Sequence, residues 1–149
     1  MTDTVAILNT IRATFADSDP SKFDIGTWFD VDSGCGCIIG HSLTIQPMLE
    51  RTLGLALRRD DEGDDDSLGL VNIFGEPRSL ASGPESVTAD LSATVGITEA
   101  EAHYLFDFSE YAGPVWRGPE GHAEALRRLD EVIARYTPAK VVERVTAAA

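Results

Sequence analysis

Val5, Ile7, Leu8, Ile11 and Phe15 recur at helical spacing and predict a first helix with one apolar stripe. Asp3 stands where its carboxylate caps the free amides of the first turn. The helix ends at Asp17-Ser-Asp-Pro20, because a residue before proline avoids the helical region. A loop from Phe23 to Phe29 carries Trp28 and two phenylalanines, read as plugs for the core. After Asp32-Ser-Gly-Cys-Gly-Cys37 come one or two apolar turns through Ile38, Ile39, Leu43 and Ile45. Pro47 suits the first turn of another helix, predicted from Met48 to about Arg59. Residues 68–80, with Gly69, Gly75 and Pro77 among Val71, Ile73 and Phe74, read as a small hairpin or an irregular packed loop.

The clearest local signal spans Pro84 to Phe108. A helix over Glu85–Val95 stops at Gly96, the residue expected in left-handed geometry past a helix end, and Ile97 folds back over it. Thr98-Glu-Ala-Glu101 is a capping box opening the next helix through Leu105 and Phe106. The last long helix runs from Gly118-Pro119-Glu120 to about Tyr136. Its apolar stripe is Ala125, Leu126, Leu129, Val132, Ile133 and Tyr136, with Glu124–Arg128 and Arg127–Glu131 pairs outside it. Val141, Val142 and Val145 predict a short terminal helix before a frayed end at about 146–149. The pattern therefore predicts a mainly α fold. It is one globular domain over 1–149, a compact bundle of five or six helices with a helix-turn-helix-like corner and room for one small hairpin.

Charge changes this picture most. Twenty-five acids face twelve bases, for a net charge of −13. That balance argues against binding nucleic-acid phosphates or an anionic membrane through a broad basic face. The pattern Leu91-Ser-x-x-Val95-Gly-Ile-Thr98 matches helix-turn-helix geometry. Between Glu85 and Glu110, however, six acids and no Lys or Arg occur, so the helix meant for the groove would be repelled. The corner is expected to serve packing, or as a face for a basic protein. Asp60, Asp61, Glu62, Asp64, Asp65 and Asp66 surround Gly63 in a solvated loop at about 60–67, and their spacing does not fit a calcium-binding EF-hand.

The sequence offers one candidate for covalent chemistry. Cys35 and Cys37 flank Gly36, and His41 lies four residues beyond Cys37, on the same face of a helix. A thiol at a helix N-terminus has a lowered pKa, and His41 would be its base. The bland reading is a small thiol buried beside Ile38 and Ile39. A structural zinc site is not expected, since the cysteines are one residue apart and a fourth ligand would come from distant His103 or His122. No cofactor is expected. With no apolar segment long enough to span a bilayer, no secretory signal and two cysteines too close for a disulfide framework, the expected location is the cytoplasm.

Phe23-Asp24-Ile25-x-x-Trp28, Cys37-Ile-Ile-Gly40-His41 and Val95-Gly-Ile-Thr98-x-x-x-Ala102-x-x-Leu105-Phe106 resemble a group of small bacteriophage and bacterial proteins, often actinobacterial. Their usual pattern is Phe-Asp-Met-x-x-Trp, then Cys-Gly-Thr-x-x-Cys-Ile-Ala-Gly, then Leu-Gly-Leu-Thr with Leu-Phe. The similarity covers about Phe23 to Tyr136, and the chain departs at the first cysteine, where Asp32 holds the usual position. The resemblance implies a phage or prophage context and no particular chemistry. The expectation is a non-enzymatic protein that binds and modulates a basic host protein, one version being a mimic of nucleic acid. Contact would come from the acids of 60–66 and from Glu99 and Glu101. The alternative is a small cysteine-dependent enzyme or redox protein using Cys35 or Cys37 with His41. An apolar patch exposed by the helices would make a dimer.

Overall fold

Asp3 accepts a hydrogen bond from the Ala6 N–H (3.0 Å) and opens α1, Thr4–Ala16. Its spacing of Leu8, Ile11, Thr14 and Phe15 turns one face into the core. In the computed structural model the described residues are 3–24, 29–59, 67–72, 74–78, 87–106 and 117–137. The chain is mainly helical, with six α-helices among those residues and a small antiparallel sheet. After α1 a single 3-10 turn, Pro20–Lys22, leads to β1, Phe29–Asp30, and then to α2, Ile38–Ile45.

The predicted helix from Met48 to Arg59 is corrected by the structure. Only α3, Leu49–Leu53, is helical, and Leu55–Arg59 is the strand β2. Gly54 makes the change, ending α3 at φ 68°, ψ 28°, a left-handed conformation that costs an L side chain about 1–2 kcal/mol. Beyond it Leu55 and Leu57 alternate with Ala56 and Arg58, which is strand period rather than helix period. β2 pairs with β3, Ser67–Asn72, in a register from Leu55↔Asn72 to Arg59↔Leu68. The other edge of β3 carries β1, through Phe29↔Leu68, and β4, Pro77–Arg78, through Leu70↔Arg78. Residues 68–80 thus contain a hairpin, one of the two forms the sequence allowed.

The corner predicted around Gly96 is present. The helix α4, Val87–Val95, stops at Gly96 (φ 87°), whose N–H bonds to the Ser92 carbonyl (2.9 Å), and Ile97 folds back into the core. Thr98 and Glu101 then exchange hydrogen bonds, Thr98 N–H to Glu101 Oε1 (3.0 Å) and Glu101 N–H to Thr98 Oγ1 (3.1 Å), which starts α5, Glu99–Phe106. The last described helix is α6, Gly118–Tyr136. One continuous core joins Leu8, Ile11 and Phe15 of α1 to Ile38 and Ile39 of α2, Leu91 of α4, Leu105 and Phe106 of α5, and Leu129 and Val132 of α6. Leu55 and Leu70 close it from the sheet. The acids 60–66, Trp28, the start of α4 at Glu85, and the expected helix and frayed end over 138–149 lie outside the described residues. Among the described residues no helix is long and apolar enough to cross a membrane.

Candidate functional site

The cysteine segment is clamped by backbone pairing before it enters α2. Gly36 bridges both Phe23 and Phe29, and its N–H and carbonyl bond to the Lys22 carbonyl and the Asp24 N–H (3.0 and 2.9 Å). Asp30 makes the preceding turn by accepting the Asp32 N–H at 2.9 Å. Cys37 follows as the cap of α2, its sulfur accepting the Gly40 N–H at 3.5 Å. Cys35 is half-buried and Cys37 is buried, and no disulfide joins them.

The sequence expectation of a lowered thiol pKa at this helix start is corrected at Cys37. Burial pushes its thiol up to about 11, against the weaker opposing pull of the Gly40 and Ile39 amides. Solvent exclusion disfavours the thiolate more than three N–H dipoles favour it. At neutral pH Cys37 is a thiol, the form that neither attacks nor ligates. His41 is likewise engaged. Its Nε2 lies 3.0 Å from the Lys22 carbonyl, and a carbonyl only accepts, so that nitrogen carries the proton.

His41 belongs to a buried polar cluster that sequence reasoning missed. Where the end of α1 meets α2 and α6, Phe15 stacks on His122 (centroids 4.4 Å apart, 28°) and meets Phe23 edge-on at 5.5 Å. His41 approaches the same phenyl ring at 6.3 Å and packs edge-on against Phe29 at 5.7 Å. His122 Nε2–H is shared between the Phe15 carbonyl and Ser18 Oγ, each at 3.1 Å, and Ser18 donates its own hydroxyl to that carbonyl at 2.6 Å. The signal was there: a histidine one turn into an amphipathic helix, facing the same side as Ala125 and Leu129. Nothing in one sequence, however, places it beside Phe15 and Ser18.

Burial lowers the His122 pKa below the usual imidazole value, and the nearby His41 adds to the fall. The Phe15 carbonyl and Asp19 only partly offset it. The unfolded chain therefore takes up this proton at about pH 6.5, before the folded chain does. Stability is full above that pH and falls as pH drops below it, until the folded value is reached. Urea unfolding from pH 7.5 down to pH 5 is expected to show the midpoint sliding downwards. The slope should vanish in His122→Asn, and an unchanged slope in that variant would remove His122 from the account. Glu101 and Glu124 add a separate loss below the ordinary carboxylate range, because both are held lower in the fold.

The acidic residues expected to carry contact divide. Glu99 is exposed on the first turn of α5. Glu101, two residues on, is only 9% exposed. Its carboxylate accepts from the Thr98 N–H, the Tyr136 hydroxyl and Arg135 Nη1 (3.3 Å), so it ties α5 to the end of α6. Burial pushes its pKa up, but those hydrogen bonds outweigh burial and hold it down. Asp60, Asp61, Glu62, Asp64, Asp65 and Asp66 lie outside the described residues. The neighbouring strand ends are held together by Arg59↔Leu68.

No protein-family model, curated protein or solved structure matches the chain. Among the described residues no three His, Cys, Asp or Glu side chains converge as metal ligands.

Proposed function

We propose that this chain is an acidic interaction protein that binds and modulates a basic protein of its host, as a phage or prophage accessory product in the cytoplasm. One observation carries the reading. The α4–Gly96–α5 corner carries the residue spacing of a helix-turn-helix, yet residues 85–110 hold six acids and no Lys or Arg, in a chain of net charge −13. A helical corner with reversed charge suits a surface that itself binds nucleic acid, and it repels nucleic acid. Glu99 and the acids of 60–66 are the contacts in this reading. Glu101, turned inward, positions α5.

The test uses the whole chain as bait in lysate of an actinobacterial host, followed by binding measurements on the purified captured protein. Salt is raised from about 0.05 M to about 0.5 M, which shortens the screening length from about 14 Å to about 4 Å. The expected result is one near-stoichiometric basic partner, released at the higher salt and weakened several-fold by Glu99→Lys. Binding unchanged at high salt, or no partner at either salt, overturns the reading.

A further inference from the structure

The turn between β3 and β4 displays a phenylalanine to solvent and is wired to hold it there. Phe74 is 79% exposed. The Asn72 side-chain oxygen accepts both the Phe74 N–H (2.9 Å) and the Glu76 N–H (3.0 Å), and its amide donates to Glu76 Oε1 at 3.0 Å. The Asn72 backbone closes the same turn, its N–H on the Glu76 carbonyl and its carbonyl on the Gly75 N–H, both at 3.0 Å. Gly75 supplies the positive φ of 77° that the turn requires. A side chain presented on so constrained a turn loses little freedom when it docks.

Beside this turn lies a groove of about 380 Å³ between α3, β2 and β3. Gly54, Leu55, Ala56 and Val71 give its apolar lining, Glu50, Arg51 and Arg58 its charged lining, and Gly75 of the turn reaches into it. Benzene fills an engineered protein cavity of about 150 Å³, so a phenyl ring fits this volume. Large exposed hydrophobic side chains among the described residues number four, Val31, Ile45, Met48 and Phe74. Three of them are on the turn or next to the groove in sequence. Met48, 76% exposed, begins the turn of α3 that carries Glu50 and Arg51, and Ile45 ends α2 just before it.

We propose that this face is an interface between two copies of the chain, the Phe74 of each seated in the groove of the other. Phe74 and the groove adjoin at Gly75, so a two-fold axis beside Gly75 makes the same contact twice, as a closed dimer requires. The charges fit a second copy and not the basic partner proposed above. Two guanidiniums and one carboxylate line the groove, and the Arg58–Glu50 pair within one chain is loose at 3.9 Å. Glu76, exposed on the same turn as Phe74, is carried with it to Arg51 and Arg58 of the other copy, whereas a basic surface would meet two arginines. The net charge of −13 on each copy opposes association at long range, so added salt favours this dimer while it releases an electrostatically held partner.

Sedimentation of the whole chain from about 1 to about 100 μM, at about 0.05 M and about 0.5 M salt, decides the matter. The expected result is a monomer–dimer equilibrium that persists or tightens at high salt. Phe74→Ala should raise its dissociation constant about thirty-fold or more, as loss of an interface anchor does, with the circular dichroism of the monomer unchanged. Val31→Ala, which trims another exposed hydrophobic side chain elsewhere, should leave association as it was. A monomer throughout, a dimer lost at high salt, or a Phe74→Ala chain that associates like the parent would each overturn the proposal.

Discussion

Replacing Phe15 by alanine is expected to remove about 3–5 kcal/mol of folding stability. The ring is fully buried where three helices meet. It contributes the edge-to-face contact with Phe23, the stack on His122 and the flank of His41. Aromatic pairs of this kind add about 0.5–1.5 kcal/mol beyond area burial, and the cavity term comes on top. Collapse into the space is restricted, because the neighbouring backbone is fixed by hydrogen bonds. The Phe15 carbonyl holds Ser18 and His122, and the Lys22 carbonyl holds Gly36 and His41. A domain of this size is stable by about 5–15 kcal/mol, so the variant should retain between none and most of its margin. Urea unfolding should show a midpoint shifted down with the slope unchanged. Phe15→Leu, which keeps most of the volume, should lose under half as much. A loss below about 1 kcal/mol in the alanine variant would mean that the three helices do not depend on this ring.

Such effects follow from a cluster the sequence did not reveal, whereas much of the helical frame was readable. The frame was legible where the signal is local. Asp3 caps α1, Gly96 and the Thr98–Glu101 box define the α4–α5 corner, and the stripe from Ala125 to Tyr136 marks α6. The cap and the corner are decided within four or five residues by backbone geometry and hydrogen bonding, and the α6 stripe by its period over three turns. The stretch from Met48 to Arg59 misled because leucines at 49, 53 and 57 fit a helical stripe, while those at 53, 55 and 57 fit a strand. The choice is made by Gly54 and by pairing with β3, nine to seventeen residues away.

The candidate site was legible in order and not in environment. Cys37 does begin a helix, with His41 one turn along, as the spacing required. At Cys37 the thiolate is disfavoured because the core closes over it, and burial depends on tertiary packing rather than on local spacing. Glu101 shows the same limit from the other side. The capping box predicted its backbone role, but its contacts with Tyr136 and Arg135 come from a helix thirty-odd residues away.

Arg128 supplies the second large effect. The sequence placed it on the outer face of α6 in an i,i+4 pair with Glu124. The pair exists, at 3.6 Å, but the Arg128 side chain is only 8% exposed. Its guanidinium lies 4.4 Å over the Tyr104 ring, and Nη1 donates to the Tyr104 carbonyl at 2.9 Å. Tyr104 is in the last turn of α5, so Arg128 reaches that helix end from α6 and sets a positive charge at its negative end. Arg128→Ala would remove the hydrogen bond to that carbonyl and the cation–π contact, and take one of two guanidiniums from Glu124. Arg127 alone would then hold Glu124, at 2.8 Å. The expected loss is about 2–4 kcal/mol, well above the median for exposed ion pairs. Arg128→Lys should recover less than half of it, because an ammonium cannot lie flat on the ring while donating to the carbonyl and facing the carboxylate. Arg12→Ala is the control. Its pair with Asp130 is closer, at 2.8 Å, but more exposed, and should cost under about 1 kcal/mol. Equal losses in the Arg12 and Arg128 variants, read as urea midpoints at constant slope, would show that burial and the α5 carbonyl are not what makes Arg128 matter.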